Sequence, residues 1–190
     1  MNYNFTNEGG IDYRYRFLKN IMGLWIIQEV RKNLNNRYSF EEIANMAGEH
    51  MNVKSIINVD DDRFLKPQNM IQEIKKYCSE TSQDIPQNLG EIAFCVFNSL
   101  ARSYKASVES LEEIFEKKFK KINIFGGGCK NEFLNELVAK VTGKTVIAGP
   151  SEATAIGNIS AQLLSTGVCK GISEERKLIR KSFNIRKYLG

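Results

Sequence analysis

The sequence predicts an α/β fold, a mixed sheet flanked by helices, and three observations lead to it. The β-branched run Lys121-Ile-Asn-Ile-Phe125 stops at Gly126-Gly127-Gly128, and an apolar helical pattern follows at once. Phe133, Leu134, Leu137, Val138 and Val141 recur at helix spacing, so residues 131–142 read as an amphipathic helix. A second short apolar run, Thr145–Ala148, precedes a further helical stretch from Ser151 to about Leu164. Strand, helix, strand and helix in that order make a β-α-β-α unit, which implies a mostly parallel or mixed sheet covered by helices.

Upstream of that unit the pattern is mostly helical. Residues 1–10 are polar and end in Gly9-Gly10. From Tyr13 to Leu34 apolar residues recur at helical spacing, which predicts one long helix with Phe17, Ile21, Leu24, Trp25 and Val30 as its buried stripe. Ser39-Phe-Glu-Glu42 has the form of a capping box and opens a second helix to about His50. Ser55–Asn58 predicts a short strand, and Asp60–Phe64 a polar loop. Pro67 suits the first position of the next helix, and Thr81–Pro86 reads as a loop. From Asn88 to Phe119 one long helix is expected, with Ile92, Val96, Leu100, Tyr104, Val108, Leu111 and Phe115 on one face. Two or three strands are few for an α/β sheet in 190 residues. The expectation is therefore a sheet that lacks its first strands.

Composition narrows the class. With 42% hydrophobic and 26% charged residues the chain is globular, neither disordered nor fibrous. It holds no run of about 18 apolar residues, so no membrane span is expected. Its first residues have neither a basic nor an apolar leader segment, so a cytoplasmic protein is expected. Cysteines stand at 78, 95, 129 and 169, none in C-x-x-C, and the single histidine is His50. That set predicts free thiols in a reducing compartment and no metal site. The net charge is +5. One basic cluster, Lys117-Lys118-Phe-Lys120-Lys121, follows Glu109, Glu112, Glu113 and Glu116, and a second runs from Arg176 to Lys187. Acid first and base last fits a solvated helix matched to its dipole, so no nucleic acid is expected as partner. An anionic small molecule also suits a mildly basic protein.

A strand–glycine–helix junction leaves backbone N–H groups unpaired and lets a ligand approach, because no Cβ blocks the way. Nucleotides bind at such places in α/β proteins. The triplet is neither G-x-G-x-x-G nor G-x-x-x-x-G-K-[ST], so on local pattern a plain tight turn stays open beside the ligand reading. Asp60, Asp61 and Asp62 read either as a metal or base site or as a solvated loop that caps the helix at Pro67; the pattern favours the loop. Cys129 reads as a bystander beside the glycines. His50, at a helix end, reads as a surface residue that compensates the dipole. The small residues Ala153, Ala155, Gly157, Ser160 and Ala161 allow their helix to pack closely in a core.

Five segments carry a resemblance to a known family: Phe5-Thr-Asn-Glu-Gly-Gly10, Arg16-Phe-Leu-Lys-Asn-Ile-Met-Gly-Leu-Trp25 with Gln28, Asn58-Val-Asp-Asp-Asp-Arg-Phe64, Phe125-Gly-Gly-Gly-Cys-Lys-Asn131, and Ala148-Gly-Pro-Ser-Glu-Ala-Thr-Ala-Ile-Gly-Asn158. Together they resemble the C-terminal half of the rhamnulokinase branch of the FGGY carbohydrate kinases, in order and spacing over residues 4–185. The resemblance implies ribonuclease-H-like (actin-like ATPase) domains, two to a kinase, with a cleft between them. Residues 1–190 are then the C-terminal nucleotide-binding domain, incomplete at its N-terminal side, and its partner is the missing N-terminal kinase domain.

The implied reaction transfers the γ-phosphoryl group of ATP, with Mg2+, to the 1-hydroxyl of L-rhamnulose in rhamnose catabolism. By motif position Gln28 and Gly127 match ATP contacts and Asn20 a sugar contact. No catalytic residue and no metal ligand is carried over to this chain, because the family's catalytic aspartate lies upstream of the matched segment. Carboxamides suit such roles, since each offers a donor and an acceptor. On the expected 13–34 helix Asn20 and Gln28 would share a face about 12 Å apart. Without the resemblance Asn20 reads as a polar group bonded within the fold and Gln28 as a solvent-facing residue. The isolated chain is expected to be inactive and, with sheet edges and apolar faces uncovered, to associate. Two alternatives remain: another FGGY-type kinase acting on a different sugar or polyol, and a non-catalytic nucleotide-binding module.

Overall fold

The computed structural model describes residues 4–10 and 13–190. The backbone divides into two units, Met1–Lys118 and Phe119–Gly190.

The first unit starts with an antiparallel hairpin, β1 (Thr6–Gly9) and β2 (Tyr15–Leu18), in which Thr6 faces Leu18 and Gly9 faces Tyr15. Four helices follow: α1 (Trp25–Asn33), α2 (Phe40–Gly48), α3 (Met70–Glu80) and α4 (Leu89–Ile114). The expected single helix over 13–34 is thus a strand, a loop and a shorter helix. The hairpin claims the first part: Phe17 stacks on Phe5 at 4.6 Å and meets Phe115 edge-on at 6.0 Å, so it does not belong to a helical stripe. Gly23, with φ +63, sits in the left-handed region and turns the chain just before α1. Within α1, Ile26, Ile27 and Val30 are buried as amphipathic spacing requires.

Helix α4 is the core of this unit. Every residue from Ile92 to Ala101 is buried, including Phe97, Leu100 and Cys95 at 0% exposure, so the helix is wrapped on all sides there. The expected one-sided stripe holds at Ile92, Val96 and Leu100 and then fades; Phe115, just past the helix, is 55% exposed. Helix α2 lies along α4. Its expected capping box is present, with Glu42 N donating to Ser39 Oγ (3.1 Å) and Ser39 N to Glu42 Oε2 (2.7 Å). The Ser39 backbone N–H first, and then the Ser39 side chain, hold the Glu42 carboxyl below its ordinary value. His50, half-buried after α2, places Nδ1 2.9 Å from the Met46 carbonyl, among the last of the helix.

Asn88 caps α4: its Oδ1 accepts from Glu91 N (2.9 Å) and its Nδ2 donates to Glu91 Oε1 (3.0 Å). Asn88→Ala should cost about 1 kcal/mol, read as a fall in Tm of about 2–4 °C in thermal unfolding. An unchanged Tm would mean that solvent serves the first turn equally well.

Two further expectations change. Ser55–Asn58 is not a strand, because side chains take the place of a ladder: Gln83 bonds both the N–H and the carbonyl of Ile56 (2.7 and 2.8 Å), and Ile57 N donates to Ser99 Oγ (2.9 Å). The helix after Pro67 begins at Met70 and is capped by Asn69, so the acidic trio does not cap it. Asp61 caps only the short turn Asp62–Phe64, accepting from Arg63 N at 3.0 Å.

The second unit holds a three-stranded mixed sheet in the order β3 (Lys121–Ile124), β4 (Thr145–Ala148), β5 (Arg186–Tyr188). β3 and β4 are parallel, and β5 runs antiparallel to β4. Helix α5 (Glu132–Thr142) makes the crossover, capped by Asn131 through Leu134 N (2.9 Å) and closed by Gly143 at φ +66. Leu134, Leu137, Val138 and Ala139 are buried, as are Val146 and Ala148 of the central strand. The expected β-α-β-α unit is therefore present, completed by α6 (Ala153–Ser165); α7 (Ile172–Ser182) and β5 were not anticipated. Helix α6 packs with α7. Its small face differs from the expected core packing: Ala155, Gly157 and Ala161 are exposed, and only Ser160 is buried. In α7, Glu174 and the buried Glu175 open the helix and Arg180 and Lys181 close it, which suits the helix dipole. Lys118 pairs with the buried Glu112 at 2.8 Å. No helix among the described residues is long and apolar enough to cross a membrane.

Candidate functional site

Parallel strands β3 and β4 end on the same side of the sheet, with Ile124 opposite Ala148. The segments that leave them are tied together: Gly149 N donates to Ile124 O at 2.9 Å, and Gly126 N to Pro150 O at 3.4 Å. Ligands of α/β proteins bind beyond the carboxyl ends of such strands. Here Gly126–Lys130 form a short 3-10 turn that leads into α5.

The glycine triplet is not uniform. Gly126 has φ +71, so the backbone itself favours glycine. A Cβ at Gly128 would make an ordinary contact, 3.7 Å from Ile124 Cγ2. A Cβ at Gly127 would meet nothing within 4 Å, and its φ lies outside the left-handed region. The fold therefore makes no demand for glycine at 127, which is exposed. What the missing side chain leaves is free backbone at a strand–helix junction, open to an approaching ligand. Beside the turn a cleft of about 240 Å3 is lined by Lys130, Gly149, Ser151, Asn184 and Arg186, with Arg186 ion-paired to Glu132. Cys129, half-buried, also borders it.

Asn20 belongs to the first unit and lies in the loop between β2 and α1. It lines a cleft of about 440 Å3 together with Lys19, Met22, Asp60, Asp62 and Leu65. The loop is held from below by two bonds: Met22 N donates to Asp60 Oδ1 (2.9 Å), and Trp25 Nε1 to Phe64 O (3.2 Å). The acidic trio is thus divided. Asp60 ties one loop to another, Asp61 caps a turn and faces Arg63 at 3.3 Å, and Asp62 borders the cleft. Tyr104 on α4 is near enough to sense this loop: burial first, then the Asp60 carboxylate, push its hydroxyl above the ordinary tyrosine value.

Gln28 is an exposed residue of α1. The expected shared helix face with Asn20 does not exist, because the helix begins only at Trp25. Each site residue is positioned by a different element: a loop for Asn20, a helix for Gln28, a glycine turn for Gly127. The Asp60–Met22 tie escaped the sequence reading. The two residues are 38 positions apart, and no local pattern links an aspartate to a distant backbone N–H.

Residues 1–166 match the FGGY family of carbohydrate kinases, C-terminal domain. The chain belongs to that family. Among its relatives, the rhamnulokinase of Halalkalibacterium halodurans is 56% identical over 189 residues, covering 100% of this chain and 40% of the relative. The rhamnulokinase of Oceanobacillus iheyensis is 58% identical over 189 residues, covering 99% of the chain and 40% of the relative. That of Bacillus subtilis is 46% identical over 183 residues, covering 96% and 38%. The FGGY domain described here thus spans about 40% of the length of the curated relatives it matches. As a family member it is α/β, with a mixed sheet and helices, in agreement with the sheet order β3-β4-β5.

Proposed function

We propose that this chain is the nucleotide-binding part of an ATP-dependent kinase that phosphorylates L-rhamnulose at its 1-hydroxyl, in the cytoplasm. The observation that carries the reading is the absence of any structural demand for glycine at 127, at the carboxyl end of a parallel strand, in a chain 56% identical to a rhamnulokinase. Residues 1–190 act together as a C-terminal domain of ribonuclease-H-like (actin-like ATPase) type. They work with an N-terminal kinase domain, which supplies the catalytic aspartate and a phosphate loop. Gly127 gives bare backbone to the nucleotide, and Gln28 gives its carboxamide to ATP. Asn20 hydrogen-bonds a sugar hydroxyl from its cleft. Mg2+ bound with the phosphates of ATP would supply positive charge to the transferring group, and no residue of this chain is assigned to hold it. The task of this chain is positioning, which is most of what phosphoryl transfer asks of a protein.

The test is a phosphorylation assay of the full-length kinase on a panel of ketoses and polyols. Preference for L-rhamnulose is expected. Preference for another ketose or a polyol would move the protein to a different FGGY kinase, and no ATP-dependent transfer at all would leave a non-catalytic module. In the active enzyme Asn20→Ala should lower kcat/KM for the sugar about 10- to 100-fold, the loss of roughly 1.4–2.7 kcal/mol of transition-state binding. KM for ATP should stay close to the wild-type value; a rise equal to that for the sugar would remove Asn20 from the sugar site.

A further inference from the structure

We infer that Asp60 is a positioning residue for the sugar, acting through the Met22 backbone on the Asn20 loop. The inference rests on the reading of Asn20 as a sugar contact. Residues 19–24 leave β2 and enter α1 with neither ladder nor helix to hold them. Gly23 within the segment is in the left-handed region, and Leu24 gives α1 no side-chain cap. A loop of that kind samples many backbone states unless something outside it fixes one.

The fixing element is the loop 58–64. It is rooted in the core through Val59 at 2% and Phe64 at 0% exposure. It is rigid in itself, since Asp60 N donates to Asn58 Oδ1 (3.2 Å), Asp61 N to Asn58 O (3.1 Å) and Phe64 N to Asp61 O (3.0 Å). From this base Asp60 Oδ1 accepts the Met22 N–H at 2.9 Å, two residues from Asn20. The Phe64 carbonyl accepts from Trp25 Nε1 at 3.2 Å and secures the far end. A carboxylate is the stronger kind of acceptor for a backbone N–H. Breaking the nearer tie leaves the exposed Asn20 on a span held only where the ladder ends at Leu18, with Lys19 over the Phe5 ring, and again beyond Gly23. Sugar affinity then falls by the fraction of time the loop spends in its bound form.

Two variants of the full-length kinase separate this role from others. Asp60→Ala removes the acceptor, whereas Asp60→Asn keeps an oxygen at the same place and discards only the charge. For Asp60→Ala, KM for L-rhamnulose should rise about five- to tenfold with KM for ATP unchanged, and amide exchange over residues 19–24 should accelerate about tenfold. Asp60→Asn should restore both. Unchanged exchange in Asp60→Ala overturns the inference, as does an equal rise in both KM values or an Asp60→Asn enzyme as impaired as Asp60→Ala. A wild-type protein inert toward every ketose, whose 19–24 segment is still loosened by Asp60→Ala, supports the clamp and sinks only the sugar assignment.

Discussion

Gly127→Val is expected to weaken ATP binding about 10- to 100-fold, or roughly 1.4–2.7 kcal/mol, and to leave folding almost untouched. The reason lies in the divided glycine triplet. A Cβ at 127 would have no atom beyond its chain neighbours within 4 Å, so the folded chain has little cause to resist a side chain there. A nucleotide lying against that backbone does, because the isopropyl group occupies the volume the ligand needs. Isothermal titration of ATP on the full-length kinase gives the affinity, and thermal unfolding gives the control, with Tm expected within about 2 °C of wild type. The neighbour supplies the contrast. Gly126→Ala forces a Cβ into φ +71, a cost of about 1–2 kcal/mol, so its Tm should fall by about 2–8 °C. If Gly127→Val binds ATP normally, the nucleotide does not approach at this turn.

Gly90→Ala should destabilise the first unit, although glycine to alanine in a helix ordinarily stabilises. Intrinsic propensity favours alanine by about 1 kcal/mol. At Gly90, however, a Cβ would lie 2.5 Å from His50 Nδ1 and 2.8 Å from both His50 Cε1 and the Met46 carbonyl oxygen. The imidazole can swing away only by leaving its 2.9 Å contact with Met46 O, and the carbonyl belongs to the backbone of α2 and cannot swing at all. Helices α2 and α4 must then separate. Overpacking of that kind costs about 1–3 kcal/mol and occasionally more. The clash should outweigh propensity by up to about 2 kcal/mol, with Tm lower by as much as about 8 °C in thermal unfolding. A raised Tm would show that α2 tilts freely and that the contact is looser than its distances imply.

The second unit was largely legible because its signals are local. A β-branched run, glycines, an Asn131 cap and an apolar repeat each occupy a few consecutive residues, and β3, α5 and β4 follow from them. Strand β5 was not legible: Arg186-Lys-Tyr188 has no apolar alternation, and only its pairing with β4 makes it a strand. The segment 13–34 failed for a different reason. Phe17, Ile21, Leu24 and Trp25 satisfy a helical period by accident, while the pairing of β2 with β1 and the turn at Gly23 decide the backbone. Of the candidate site, the glycine turn could be placed from sequence. The loop position of Asn20 could not, because Asp60 and Phe64 hold it from about forty residues away in the chain. Nor could the exposure of the small face of α6, since small residues signal close packing without saying what packs.

Helix α4 imposes two kinds of selection on one stretch of chain. Between Ile92 and Ala101 no side chain reaches solvent freely, so drift there has no neutral face to use. An amphipathic helix offers an exposed face on every turn; this half offers none, and a polar replacement at any position must find a partner inside the protein. Asn98 and Ser99 survive in that stretch, and Ser99 does so by bonding Ile57 N and Cys95 O. Beyond Arg102 an exposed face returns among half-buried residues, with Ser107 and Glu112 still buried. A single helix thus contains one half buried on every side and one half with an exposed face.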